Sequence, residues 1–195
     1  MTRYRTCAPA AHSHEPATLD INKATKYARY ERERRFLLSG PPPGPVIKRI
    51  KISDRHILGT RLRLRWSVLV DGDGADVVYK LTQKLPSLEA CPGLTTTMYL
   101  TEAEYSALAK LPARQLQKTR SSVPPLGVDF FDGDLRGLIV AEAEFDTDEA
   151  MEGFLVPPFA VAEITQDLRF TGGYLVGASR LEVQAALNEF GIQIE

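Results

Sequence analysis

The stretch "RYERERRFLL", residues 29–38, decides how this chain folds. It alternates as a strand does, with successive side chains turning to opposite faces. Both faces carry charge: Glu31, Glu33 and Arg35 fall on one, Arg32 and Arg34 on the other. A strand in an ordinary sandwich buries one apolar face. This one predicts an interior that accepts two carboxylates and a guanidinium.

The same feature recurs outward along the chain. Arg61, Arg63 and Arg65 stand two apart, as do Lys118 and Arg120, and Glu142 and Glu144. Lys80 and Lys84 flank Thr82, and Glu163, Asp167 and Arg169 surround Thr165. Period two places each set on one face. One reading is a series of strands with solvated outer faces. Against it, the charges are sorted by strand, and three arginines on an open face would repel one another. The intervening residues, such as Leu62, Leu64, Leu81, Ala141 and Ala143, offer an apolar side to the helices. That turns the ionic faces inward. Strands with inward ionic faces can close into a barrel with a polar lumen. The expected fold is therefore α+β, mainly β: a closed eight-stranded antiparallel barrel forming a tunnel, with helices packed outside and a C-terminal helix.

Strands are predicted at 28–38, 46–53, 60–70, 77–85, 116–123 and 159–170, with a hairpin of "GVDFF" and 135–145. "SGPPPGP" at 39–45 breaks both ladder and helix. "DGDGAD" at 71–76 reads as a hairpin loop, because it lacks the later glutamate of a calcium loop. Helices are predicted at 102–111, where Thr101 and Glu104 form a capping box, at 147–155, and over "SRLEVQAALNEFGI" at the end. That last helix either plugs one tunnel end or covers the wall. Residues 1–25 read as a flexible N-terminal arm with solvated His12 and His14, and 26–195 as the barrel domain.

The 195 residues are 44% hydrophobic and 25% charged, with a formal net charge of −1. That balance argues against a nonspecific nucleic-acid binder. Cys7 and Cys91 form neither a disulfide framework nor a metal-ligand spacing. No apolar run reaches membrane-spanning length and no signal segment opens the chain. The expectation is a cytoplasmic protein, monomer or homodimer, without nucleic-acid or membrane partners.

Eight basic side chains are candidates for the lumen: Arg35, Arg61, Arg63, Arg65, Lys80, Lys84, Lys118 and Arg120. Buried without partners, so many cations would be prohibitively costly. A chain of phosphates neutralises them, and arginine forks match phosphate oxygens. The paired glutamates resist joint ionisation unless a cation lies between Glu31/Glu33 and Glu142/Glu144. Oxygen-only ligands suit Mg²⁺ or Mn²⁺. Asp129 either lines the tunnel or caps the hairpin, Trp66 packs beneath a helix, and His56 is expected in a loop or at a strand end. Asp71, Asp73 and Asp76 read as turn acids.

"ERERR" resembles the ExExK signature of the CYTH superfamily, the triphosphate tunnel metalloenzymes. "RLRLR", "YKLTQK", "LQKTR", "AEAEF" and "AEITQD" resemble its later blocks in the same order, covering about residues 27–180. The resemblance implies an eight-stranded tunnel that binds triphosphate with Mg²⁺ or Mn²⁺. It implies metal binding, and through the metal catalysis, by Glu31, Glu33, Glu142 and Glu144, with Glu163 an added metal ligand. Phosphate would fall to Arg35, Arg63, Arg65, Lys80, Lys84, Lys118 and Arg120, while Arg61 could lie at the mouth. The third signature position is arginine where lysine is usual. The expected activity is hydrolysis of inorganic triphosphate to pyrophosphate and phosphate by a metal-activated water. The alternatives are a class IV-type adenylyl cyclase, a thiamine-triphosphatase, or a non-catalytic polyphosphate- or nucleotide-binding module.

Overall fold

The computed structural model describes residues 27–70, 77–85 and 93–194. The arm at 1–25, both cysteines, His12, His14 and "DGDGAD" lie outside the described residues. The fold is mainly antiparallel β-sheet with a few short helices.

The opening stretch does form strand, but in two pieces: β1 (Arg29–Tyr30) and β2 (Glu33–Leu38). The other strands are β3 (Lys48–Ile57), β4 (Leu62–Leu69), β5 (Val78–Leu85), β6 (Leu94–Leu100), β7 (Ala113–Val123), β8 (Leu126–Phe131), β9 (Ile139–Glu144) and β10 (Ala162–Glu163). They make one ten-stranded sheet in the order β1-β6-β5-β4-β3-β7-β8-β9-β2-β10. The hydrogen-bonded order is that of an open ten-stranded sheet, where a continuous closed eight-stranded ladder was expected. The reason lies in the opening stretch. β1 pairs with β6 while β2 pairs with β9, near the opposite end of the order. Between them the Glu31 amide donates to Gly93 O at 2.8 Å, and the Phe145 amide donates to Arg32 O at 2.8 Å. One chain segment thus spans both ends of the ladder.

Three other expectations change. β6 was not foreseen. β3 runs past residue 53 to Ile57. The strand expected over 159–170 shrinks to β10, followed by a 3₁₀ turn at Leu168–Phe170.

Helix α1 (Glu102–Leu108) has the expected capping box: Thr101 Oγ1 accepts from the Glu104 amide, and Glu104 accepts from the Thr101 amide at 2.7 Å. Helix α2 (Asp148–Glu152) is capped by Thr147. A short α3 (Gly172–Leu175) precedes α4 (Arg180–Asn188), whose Ser179 and Glu182 form a second capping box.

Two apolar clusters flank the sheet. On one face Phe36, Leu38, Val123, Leu126, Val128, Ala141 and Ala143 pack with Phe145, Phe154 and Phe159. On the other, Leu37, Leu116, Phe131 and Val140 pack against Leu175, Val183, Ala186, Leu187, Ile192 and Ile194 from the C-terminal segment. Leu37 shares its face with Arg35, Leu116 with Lys118, and Val140 with Glu142, by period two. The C-terminal segment therefore covers the apolar end of the ionic face, and the outer wall is left to other elements.

Candidate functional site

Cross-strand register brings the ionic residues onto that one face. Arg65 of β4 stands opposite Asp54 of β3, and Arg63 opposite His56. Arg63 and Arg65 face Thr82 and Lys80 of β5. Arg120 of β7 faces Asp129 of β8, and Arg35 of β2 faces Glu142 of β9.

Two buried aspartates organise the cations. Asp54 accepts two hydrogen bonds from Arg65, at 2.6 and 2.7 Å, and Arg63 Nε stands 3.6 Å away. Burial alone would push the Asp54 carboxyl up; the hydrogen bonds and charge of Arg65, with Arg63 and Lys118 behind them, hold it at about 2. Asp129 is fully buried. It accepts from Lys118 and doubly from Arg120, at 2.7 and 2.6 Å. Of its two expected roles, it takes the one within the ionic face.

The glutamates divide. Glu31 pairs with Lys84 at 2.6 Å, and Glu142 accepts from Arg120. Burial works against the charge of Glu142, but Arg120, Lys118 and Lys84 overcome it and hold the carboxyl at about 2. Glu33 goes the other way. Burial raises it, Glu142 and Glu31 raise it further, and Lys84 and Arg35 only partly oppose them. Arg63 is lowered by burial and by Arg65, against the pull of Asp54, Glu31 and Glu142. These mutual influences place Glu31, Glu33, Glu142, Arg63, Lys84 and Arg120 in one electrostatic neighbourhood. Glu144 stands at the rim, 77% exposed, with an oxygen 4.0 Å from Arg120.

Several expected residues sit apart. Glu163 does not join the other glutamates. It pairs in register with Phe36 and accepts two hydrogen bonds from Arg34, at 2.9 and 2.6 Å, on the opposite face of β2. In the structure Glu163 therefore stands apart from Glu31, Glu33 and Glu142, on the face of β2 that carries Arg34 and Phe36. Arg61 is exposed and lies just outside β4. Lys80 is half-buried and rests its Nζ 4.9 Å from the centroid of the Tyr99 ring. Arg35 is buried and gives Nη1 to Phe170 O at 2.9 Å and Nη2 to Thr165 O at 2.7 Å. The fork that departs from the signature lysine thus ties down the chain after β10. Its Nε, 3.6 Å from Glu33, has no hydrogen-bond partner.

β3 continues four residues past the expected end at 53, which brings Asp54 and His56 onto this face. Asp54 had no expected role and His56 only that of a loop or strand-end residue, whereas continuing the alternation of Ile50 and Ile52 places both here. Gly127 was also missed. A Cβ there would meet Arg120 Cδ at 3.3 Å, so the glycine lets the arginine lie flat across β8. A cavity of about 420 Å³ beside Gly127 is lined by Arg120, Ser122, Glu142 and Glu144. Trp66 is half-buried opposite Tyr79, whose ring stacks on Tyr105 of α1 with centroids 4.7 Å apart.

The oxygen-only donors fit a hard divalent cation in kind. Among the described residues no three metal-ligating side chains stand together as they lie, since Glu31 and Glu142 are drawn to Lys84 and Arg120. The raised Glu33 carboxyl marks where added positive charge would be accepted. No helix among the described residues is long and apolar enough to cross a membrane.

No protein-family model matches the chain, and no curated protein matches it in sequence. Solved structures do. The crystal structure of the hypothetical protein NE1496 matches at 22% identity with a TM-score of 0.51, over 76% of this chain and 99% of that one. A crystal structure of the inorganic triphosphatase NE1496 matches at 22% identity and 0.49, over 76% and 95%. The PH1819 protein from Pyrococcus horikoshii matches at 16% and 0.44, over 62% and 84%. Of these, the first carries weight, and at that identity it speaks for the fold alone.

Proposed function

We propose that this chain hydrolyses a short phosphate chain, inorganic triphosphate before others, along a tunnel walled by the ionic face. The observation that carries this reading is the convergence of Arg63, Arg65, Lys84, Lys118 and Arg120 with Glu31, Glu33 and Glu142 on one face. The shared fold with NE1496, elsewhere described as an inorganic triphosphatase, agrees with it. Segment 29–38 would complete the tunnel by joining the two ends of the sheet, which makes an eight-membered ring of β1/β2 with β3 to β9.

The basic side chains take the phosphate oxygens, with arginine forks binding them two at a time. Asp54 and Asp129 hold those forks in place before substrate arrives, so little reorganisation remains when charge develops on the transferred phosphoryl group. The plugged apolar end excludes water from behind the chain. Glu31, Glu33 and Glu142, with Glu144 at the rim, would hold Mg²⁺ or Mn²⁺ once phosphates draw Lys84 and Arg120 away. The ion would supply charge neutralisation and a more acidic water. Water attacks the terminal phosphorus as the P–O–P bond breaks, giving phosphate and pyrophosphate, with the water's proton passing to solvent.

Phosphate release should be measured in parallel from inorganic triphosphate, ATP and thiamine triphosphate, with and without Mg²⁺ or Mn²⁺. Release from triphosphate is expected, dependent on the ion. Glu142→Gln should lower turnover by about a hundredfold or more while changing affinity far less. Cyclic AMP from ATP would support a cyclase instead. Tight binding without release from any of the three would favour a binding module.

A further inference from the structure

His56 belongs to the ionic face but takes no part in the ion pairs just described. It lies near the C-terminal end of β3, opposite Arg63 of β4 and Arg114 of β7. Its ring is half-buried and packs toward α3, where a Cβ on Gly172 would stand 3.8 Å from both Cε1 and Nε2. Among the described residues its ring finds no hydrogen-bond partner. Across the ladder, Arg63 Nε is buried and also lacks a hydrogen-bond partner, since Asp54 Oδ1 at 3.6 Å is out of reach. Buried polar groups normally find partners, so the buried Arg63 Nε, in register beside the half-buried imidazole, requires an explanation. A bound oxyanion between them satisfies both.

We propose that His56 is a further anion contact at the plugged end of the ionic face, taking up a proton from solvent as the terminal phosphoryl group arrives and donating a hydrogen bond to it. This rests on the proposed function. The imidazole lone pair accepts the proton, and no bond in the anion changes.

The electrostatics run the same way. The charged groups facing His56 are Asp54 on its own strand, Arg63 and Arg65 on β4, Lys84 on β5 and Arg114 on β7; Gly172 of α3 brings none. Burial holds the imidazole down at about 4, with Arg63, Arg65 and Lys84 pressing in the same direction and Asp54 alone opposing. A polyanion cancels those three cations and so removes the main charge-based obstacle to protonation. The free site is a neutral imidazole among cations; the filled site is an imidazolium on a phosphate.

The test is histidine NMR on the full chain in EDTA, with and without saturating sodium tripolyphosphate, saturation being established by calorimetry. The chain has three histidines, and His56→Gln and His56→Asn identify the resonance. The free His56 should titrate well below an ordinary histidine. With triphosphate its midpoint should rise by at least about one unit, equivalent to about tenfold tighter binding below both midpoints. The wild type should correspondingly gain affinity over His56→Gln as pH falls from 6.5 toward 4, where the free midpoint lies. Saturated protein with an unmoved His56 midpoint overturns this contact and leaves the proposed function standing. Absence of any triphosphate binding overturns both.

Discussion

Asp54 and Asp129 are buried acids on the ionic face, and each lies against two cations. Their effect is to convert repelling neighbours into fixed donors. For Asp54, a carboxyl held near 2 against its ordinary 3.8 corresponds to about 2 kcal/mol of pH-dependent stability. Its folded value is depressed, so this stability is present above 3.8 and is lost as pH falls through 2. Asp54→Asn should lower stability at pH 7 by at least about that amount and weaken the acid dependence, as read from denaturant melts at pH 7 and pH 2.5. An unchanged acid dependence would show that Arg65 does not need this carboxylate. Glu31 calls for the opposite experiment. Because it occupies Lys84, Glu31→Gln should raise triphosphate affinity several-fold in EDTA, measured by calorimetry, even as ion-dependent turnover falls. A fall in metal-free affinity would mean that Lys84 is not released to phosphate.

Local segments differ in how much of their structure their own residues specify. Thr101 and Glu104 announce α1, and Ser179 and Glu182 announce α4, because a capping box needs only neighbours along the chain. Thr101→Ala should cost about 1 kcal/mol. The connection before β9 depends on distant chain. Gly137 sits at φ 98°, and a Cβ there would meet Ile194 Cγ2 at 2.6 Å. Gly137→Ala should therefore cost more than Thr101→Ala, by about 1–2 kcal/mol. Thermal melts of the two variants decide this, and equal midpoints would show that the tail does not hold that turn. The stretch at 159–170 alternates well enough to suggest a strand, yet Asp167 caps the Leu168–Phe170 turn by accepting from the Arg169 amide at 3.0 Å. A local side-chain bond has displaced the ladder. β6 went unseen because "LTTTMYL" carries none of the charge alternation that marks its neighbours, though its threonines suit a strand.

Taken over the full fold, the buried ionic face makes acid sensitivity a property of the assembly. His56 is depressed from 6.5 to about 4, so the stability it supports is present above 6.5 and lost progressively as pH falls toward 4. Asp54 and Glu142 follow, losing theirs as pH falls from the ordinary carboxylate range through about 2. Glu33 acts in reverse, its raised carboxyl relieved as pH falls. Stability against urea should thus decline in two stages below pH 6.5, and His56→Gln should remove the upper one. A single stage in the wild type would mean that His56 is already charged in the folded protein.

Strand alternation was legible from the residues because it is a local rule. Once 29–38, 61–65, 118–120 and 142–144 are strands, period two settles which side chains share a face, and a capping box settles where a helix starts. Which cation meets which acid could not be read that way. Lys84 with Glu31, Arg120 with Glu142 and Arg34 with Glu163 join residues far apart along the chain, and each pairing depends on cross-strand register. The same is true of the split in the first segment, the open order of the sheet and the C-terminal plug. Register is set by packing among distant elements, and a shift of one residue sends a side chain to the other face.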